Sequence, residues 1–285
     1  MTDRTTIDRE GWLEQRKTAI GASESAALLG VNPWMGTFEL WCVKTGRLVP
    51  EFTPEQEERM AWGHRLEGPI MEACELAVEP WPQDQIVRHP RGLPMSCTPD
   101  GILAYAHEGV EVKTSGERPW DEPPLHYQVQ VQHQMACHPE WSSAHLVALF
   151  RGQQLRSWRI ERNPRFIAAL EARVSEWWEE HIVGDTPPSG DVSTSAIQCL
   201  ARLHPDDDGE EVELPGEAIE WDRLLGVIKG DMAALKTEKD ETENRIKAAI
   251  GAATYGTLPG GKGRYSWKTT ERTGGAKFRV LRRGR

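Results

Sequence analysis

Apolar positions along the chain change their period several times, and each change predicts an element. Over residues 54 to 77, Leu66, Ile70, Ala73 and Ala77 follow Met60 at helical intervals, which predicts a helix with one buried stripe and Glu67 beside it. Two shorter helices precede it. One covers residues 23 to 29, with Ser23 placed to cap it and Gly30 to end it; the other covers 37 to 45 and stops at Gly46, with the Asn32-Pro33 turn between them. From 85 to 114 short apolar runs are broken by Arg91-Gly92, Pro99-Asp100-Gly101 and Glu108-Gly109, the pattern of strands joined by tight turns. A hairpin of residues 101 to 106 against 109 to 114 is expected. A helix over 125 to 137 follows, then strands over 144 to 150 and 155 to 161 around Arg151-Gly152-Gln153, then a helix opened by Asn163-Pro164 and running to about 181.

These elements predict an α/β core, a central mixed β-sheet flanked by helices, over residues 1–190. Pro187, Pro188, Ser189 and Gly190 close that unit. Asp206, Asp207, Asp208, Glu210, Glu211 and Glu213 mark residues 191–215 as an acidic linker. Residues 216–285 form a C-terminal helical and β-hairpin extension. Leu224, Ile228, Met232, Leu235, Ile246 and Ile250 lie on a helix over 216 to 250, too interrupted for a sustained heptad array. A hairpin over 255 to 270 turns at Leu258-Pro259-Gly260-Gly261, and Lys277, Arg279, Arg282, Arg283 and Arg285 read as a frayed basic tail. No internal repeat is present.

Composition narrows the function classes. The chain of 285 residues has 38% apolar and 27% charged residues, the profile of a folded protein. No segment approaches the roughly 20 apolar residues needed to cross a bilayer, and the polar start, Met1 to Glu10, is unlike a signal peptide, so a cytoplasmic location is expected. The five cysteines, Cys42, Cys74, Cys97, Cys137 and Cys199, are scattered without C-x-x-C spacing, which argues against a disulfide framework or a zinc or iron–sulfur site. A formal charge of -10 excludes indiscriminate wrapping of nucleic acid, so any contact with DNA must be local.

One local pattern carries chemistry. Phosphodiester hydrolysis with Mg²⁺ calls for convergent carboxylates and a nearby cation. Glu111 and Lys113 are two apart on a predicted strand and share a face, with Val110 and Val112 on the other, and the hairpin would return Asp100 to that strand. One metal could then bind Asp100, Glu111 and the Val112 carbonyl, with Lys113 orienting or deprotonating a water. Taken apart, Pro-Asp-Gly is a common turn and Glu-x-Lys an ordinary half-exposed strand; their conjunction points to a nuclease. His126, His133 and His138 do not share a helical face and read as core or surface residues. Of Gln128, Gln130, Gln132 and Gln134, at most two can face a site on one helix.

Asp100, Glu111 and Lys113 resemble the PD-(D/E)xK nuclease pattern, and the surrounding sequence resembles the lambda exonuclease and YqaJ-type viral recombinase family. The stretches Trp12 to Arg16 with Ile20 to Glu24, Ala61-Trp62-Gly63 ending in Glu67, Tyr127 to Met135, and Ile160 to Asn163 match its motifs in order, covering about residues 11 to 182. The resemblance implies Glu67 as an outer ligand of a site holding one or two Mg²⁺ ions, with Mn²⁺ able to substitute. It implies a 5′-phosphate pocket formed by Arg16 and Ser23, joined by Gln130 and Thr98; Thr98 stands where the family often has Ser. Helix N-terminal amides, a hydroxyl and a guanidinium are good phosphate ligands. Trp34 and Trp120, in loops near the site, are candidates to stack on unpaired bases.

The function implied is degradation of duplex DNA ends 5′→3′, leaving 3′ overhangs for a single-strand annealing partner, by a ring-shaped homotrimer in a bacterial host cytoplasm if the gene is carried by a phage. An endonuclease or helicase-associated nuclease of the same core, or a non-catalytic DNA-end binding protein, are the alternatives. Absence of a cysteine cluster and the intact Asp100, Glu111 and Lys113 weigh against them.

Overall fold

A computed structural model describes residues 17–82, 85–189, 191, 193–271 and 277–284. The chain divides into two compact units, residues 1 to 207 and 208 to 285.

The first unit is built on a five-stranded sheet ordered β2-β5-β6-β7-β8: Val78–Pro80, Gly101–Leu103, Gly109–Ser115, Ser143–Phe150 and Gln154–Glu161. Only the central β6–β7 pair is parallel, Glu111 lying opposite Leu146 and Lys113 opposite Ala148. A small sheet joins β1 (Ile20–Gly21), β4 (Met95–Cys97) and β3 (Val87–Arg88), in that order. Helices α1 (Ser25–Leu28), α2 (Thr37–Lys44), α3 (Pro54–Ala73), α4 (Leu125–Cys137), α5 (Pro164–Trp177) and α6 (Thr194–Leu203) surround them.

Both faces of β6 are covered, which gives its alternating sequence an unusual meaning. Val110 and Val112 pack with Ile70 and Met71 of α3 and Val147 of β7. The other face lies under α4, where Val129, Val131 and Met135 belong to the larger core with Ile20, Leu40, Met95 and Leu146. Glu111 is therefore buried, not half-exposed as an alternating strand would suggest, and is only 3% accessible.

Several boundaries differ from expectation for identifiable reasons. Helix α3, opened by a capping box between Thr53 and Gln56, ends at Ala73; Cys74 is extended, and residues 78 to 80 form an edge strand whose Val78 pairs with Leu103 and packs into the α3 cluster. Helix α1 starts at Ser25, so Glu24 and not Ser23 stands at its N-cap. The hairpin of β5 and β6 is short, pairing Gly101 with Val110 and Ile102 with Gly109, because β6 takes β7 as its full-length partner. Asn163 caps α5 by accepting from the Phe166 N–H at 3.1 Å, and the helix continues as a π-turn over Trp178–Val183.

Thr194–Leu203 lies where an acidic linker was expected. Ser193 caps it, accepting from the Ala196 N–H at 3.1 Å; Ala196 and Cys199 are buried, and the helix packs on α2. Asp191 fixes the approach by accepting from the Phe38 N–H at 2.8 Å.

In the second unit a 33-residue helix α7 (Ala218–Ile250) ends at Gly251, whose φ of 58° suits glycine, and leads into a sheet ordered β11-β10-β9. Strands β9 (Tyr255–Thr257) and β10 (Arg264–Glu271) make the expected hairpin, but the basic end of the chain is not a frayed tail: Lys277–Gly284 is the strand β11, paired with β10 along its length. Its Arg279 lies over the Trp267 ring at 3.7 Å and donates to the carbonyls of Trp267 and Gly251 at 3.0 and 2.8 Å, which fastens the strand to the end of α7.

Candidate active site

The turn before β5 and the strand β6 meet at Asp100. Its N–H donates to the Val110 carbonyl at 3.2 Å, and its Oδ2 accepts from the Val112 N–H at 2.7 Å. Asp100 is thereby held beside Glu111 by backbone bonds two residues apart on one strand.

Glu111 is the centre of the polar network. Gln130 donates its amide Nε2 to Oε1 at 2.5 Å, Gln134 donates its own to Oε2 at 2.6 Å, and Lys113 donates to Oε1. Gln130 and Gln134 are one helical turn apart on α4, so both reach the same strand residue. Tyr127 belongs to that face too, its ring 5.3 Å from the Lys113 ammonium. Gln132 points elsewhere, donating to the Glu161 carbonyl at 2.7 Å and accepting from the Asn163 N–H at 3.0 Å.

The electrostatics follow from this packing. Burial first, and the Glu111 carboxylate second, push the Asp100 carboxyl well above the usual carboxylate range, with Glu67 adding to the push. Burial alone would lower the Lys113 ammonium, but Glu111 and Asp100 outweigh it and hold it above its ordinary value. On α3, a Glu67 carboxylate oxygen accepts from the His64 ring Nδ1 at 2.9 Å, and that hydrogen bond raises the His64 imidazole.

The donor chemistry fits a hard divalent cation. The buried Glu111 carboxylate and the half-buried Asp100 carboxylate lie close together, Asp100 keeps one oxygen outside the Val112 bond, and Glu67 adds charge nearby. Among the described residues no group of three or more carboxylate, histidine or cysteine side chains forms a ready metal cage. Two carboxylates with a backbone carbonyl suit Mg²⁺, which usually keeps several waters.

The other candidate residues are distributed as follows. Arg16 lies outside the described residues. Ser23 is exposed in the turn before α1, while its neighbour Glu24 is buried in an ion pair with Lys44 at 2.5 Å and accepts from the Gly21 N–H at 2.7 Å. Thr98 is half-buried between β4 and β5, two residues before Asp100. Trp34 is 66% exposed, edge-on to His126 at 4.9 Å. Trp120 packs against Phe150 at 4.7 Å and donates its indole N–H to Glu117 at 3.1 Å. The three histidines of the α4 region diverge: His133 is buried against the Ser96 carbonyl, His138 stacks on Trp141, and His126 meets Trp34.

Gln134, Tyr127 and His64 were not singled out from sequence. The signal for the first two is the spacing Tyr127, Gln130, Gln134, one face of one helix; for His64 it is the three-residue step to Glu67.

The sequence from 11 to 141, which contains all of these elements from β1 to α4, matches the model of the YqaJ-like viral recombinase domain. Over 277 residues the chain is 27% identical to the uncharacterized protein YqaJ of Bacillus subtilis (strain 168), covering 94% of this chain and 86% of that one. Among solved structures, it is similar to an alkaline exonuclease (LHK-Exo) from Laribacter hongkongensis, at 21% identity and a TM-score of 0.47, over 61% of this chain and 93% of that one. The same enzyme in complex with dAMP aligns at 19% identity and a TM-score of 0.48, over 68% of this chain and 96% of that one. No described helix is long and apolar enough to cross a membrane.

Proposed function

We propose that this protein is a metal-dependent deoxyribonuclease that degrades duplex DNA from its ends, 5′→3′, and leaves 3′ overhangs for recombination by strand annealing. The observation that carries the reading is the convergence of Asp100, Glu111 and Lys113 at the junction of β5 and β6, with Gln130 and Gln134 anchoring Glu111.

Asp100, Glu111, the Val112 carbonyl and, through water, Glu67 would hold the Mg²⁺. When bound, the ion supplies charge neutralisation at phosphate oxygens and an acidified water. The chain's own residues set the geometry. The Val112 N–H aims Asp100; the two glutamine amides fix the Glu111 rotamer inside the core. Lys113, beside Glu111, orients a phosphate oxygen or water or takes the water's proton.

End recognition rests on Arg16, Ser23 and Thr98 as a 5′-phosphate pocket, with Gln130 reaching it only if it leaves Glu111. Trp34, exposed at the surface, is the better of the two tryptophans for stacking on a displaced base; Trp120 has its ring committed to Phe150, Tyr127 and Trp158. A trimeric ring and an annealing partner complete the reading. The test compares linear duplexes with 5′-phosphate and 5′-hydroxyl ends, labelled on either strand, in Mg²⁺. Faster loss from phosphorylated 5′ ends, abolished as a preference by Arg16→Ala, supports the reading. Equal rates from both end types, unchanged in the variant, exclude the end pocket; loss from 3′ ends excludes the direction.

A further inference from the structure

Strand register divides the C-terminal sheet into two faces of different chemistry. Tyr265 of β10, with Leu281 and Arg283 of β11, lines a cleft shared with Leu235, Thr242 and Ile246 of α7. Trp267 and Arg279 lie on that face as well, and Arg279 is spent on the carbonyls that close α7. This is the structural face.

The opposite face pairs Arg264 with Gly284, Ser266 with Arg282 and Lys268 with Val280, and brings Tyr255 of β9 alongside Ser266. Together they line an open cleft of about 330 Å³. Among the described residues three cations and no carboxylate line it, in a chain whose formal charge is -10. Among the described residues no ion pair involves Arg264, Lys268 or Arg282, whereas Lys239 and Lys247 of the neighbouring helix both meet Glu243. The Arg264 guanidinium lies 4.9 Å, and the Lys268 ammonium 5.1 Å, from the centroid of the Tyr255 ring. Tyr255 is 43% exposed, and Phe278 on the same face is 40% exposed.

We propose that this face of the C-terminal sheet, formed by Tyr255, Arg264, Lys268 and Arg282, binds single-stranded DNA. Like cations crowded on one face repel one another unless an anion covers them, and a polyanion answers several at once. The exposed Tyr255 beside the cations decides for a single strand: unpaired bases offer faces for stacking, which a stacked duplex does not. The choice of DNA rests on the nuclease reading of the first unit, whose product would be such a strand.

The measurement is fluorescence anisotropy of the full chain in EDTA, which prevents hydrolysis, with a labelled oligothymidylate of about 16 nucleotides, a length within the span of known single-strand sites. Binding weakened at least about tenfold in the triple variant Arg264→Ala, Lys268→Ala, Arg282→Ala is expected, with the slope of log affinity against log salt falling by about 2, near 0.7 for each lost phosphate contact. Tyr255→Ala should weaken the single strand several-fold and leave a blunt duplex unchanged. The charge-preserving variant Arg264→Lys, Arg282→Lys should bind nearly as the parent, which separates loss of charge from loss of fold. Unchanged affinity and slope in the triple variant overturn the proposal. So does a duplex bound as tightly as the single strand with Tyr255→Ala silent, or polyglutamate competing as well as DNA. Failure of the parent protein to cut DNA in Mg²⁺ would refute the nuclease reading and leave this binding result standing on its own.

Discussion

Gln134 of α4 donates its side-chain amide to Oε2 of Glu111 on β6 at 2.6 Å, and both residues are shut away from solvent, at 0% and 3% accessibility. A hydrogen bond to a buried carboxylate is worth more than one between neutral groups, because the alternative is an uncompensated charge. Gln134→Leu should therefore lower stability by ~1.5–3 kcal/mol. In a unit of this size that is a fall of about 5 °C in Tm, readable by thermal unfolding followed by circular dichroism. If the variant melts with the parent, Glu111 is not held from this side.

Asp100 makes the opposite prediction. Burial and Glu111 raise its carboxyl, so the folded state binds a proton more readily than the unfolded chain. The metal-free protein is then favoured below the ordinary carboxylate pKa, and that advantage is lost as pH rises through the raised value. Asp100→Asn removes the charge and keeps the shape, with its side-chain oxygen still able to accept from Val112. At neutral pH without metal it should melt a few degrees above the parent, about 2–4 °C for each kcal/mol recovered. A lower Tm would show that the carboxylate stabilises this site unaided.

The acid limb of stability belongs to a different carboxylate. The Arg159 guanidinium first, with His145 assisting, holds Glu108 down to about 2, between β7 and β8 and the turn before β6. The sign is that of a depressed acid: its contribution is complete above the unfolded value near 4.5 and disappears as pH falls toward 2. Arg159→Ala should lower Tm at pH 6 and converge with the parent near pH 2. A constant gap across that range would assign the effect to packing instead.

Gly109 is required at the start of β6. A Cβ there would lie 2.1 Å from Cζ3 of Trp141, whose ring is itself buried against His138. Gly109→Ala should cost at least about 1–3 kcal/mol, the scale of overpacking, because neither the strand nor the indole has room to move. The yield of soluble protein and its Tm would both fall; a parent-like Tm would mean that Trp141 relocates freely.

What could be read from the chain follows from the range of the interactions involved. Turn residues and local periodicity place Asp100 before the strand and put Glu111 beside Lys113, since a turn and a two-residue repeat are local facts. The burial of Glu111 is not local. It depends on α4 crossing the far face of β6, and an alternating Glu-x-Lys looks the same whether that face is wet or covered. For the same reason Gln134 stood undistinguished among four alternate glutamines until the helix phase selected it with Gln130. Thr194–Leu203 was hidden by its surroundings: Pro188 and Gly190 on one side and Asp206 to Asp208 on the other read as linker, and the helix earns its place by docking Ala196 and Cys199 against α2. In β11, four basic residues masked a strand whose Leu281 and Phe278 alternate across the sheet.

The central claim is that Asp100, Glu111 and Lys113 form a hydrolytic centre. Its most direct test is the release of acid-soluble nucleotide from linear duplex DNA by the parent, Asp100→Asn and Lys113→Ala, each in Mg²⁺ and in EDTA. The account predicts Mg²⁺-dependent release by the parent, stopped by EDTA and reduced in both variants by about two to three orders of magnitude, the scale of losing a charge-stabilising group. Both variants should keep their circular dichroism spectra. Release that persists in EDTA, or at parental rate in Asp100→Asn, would contradict it.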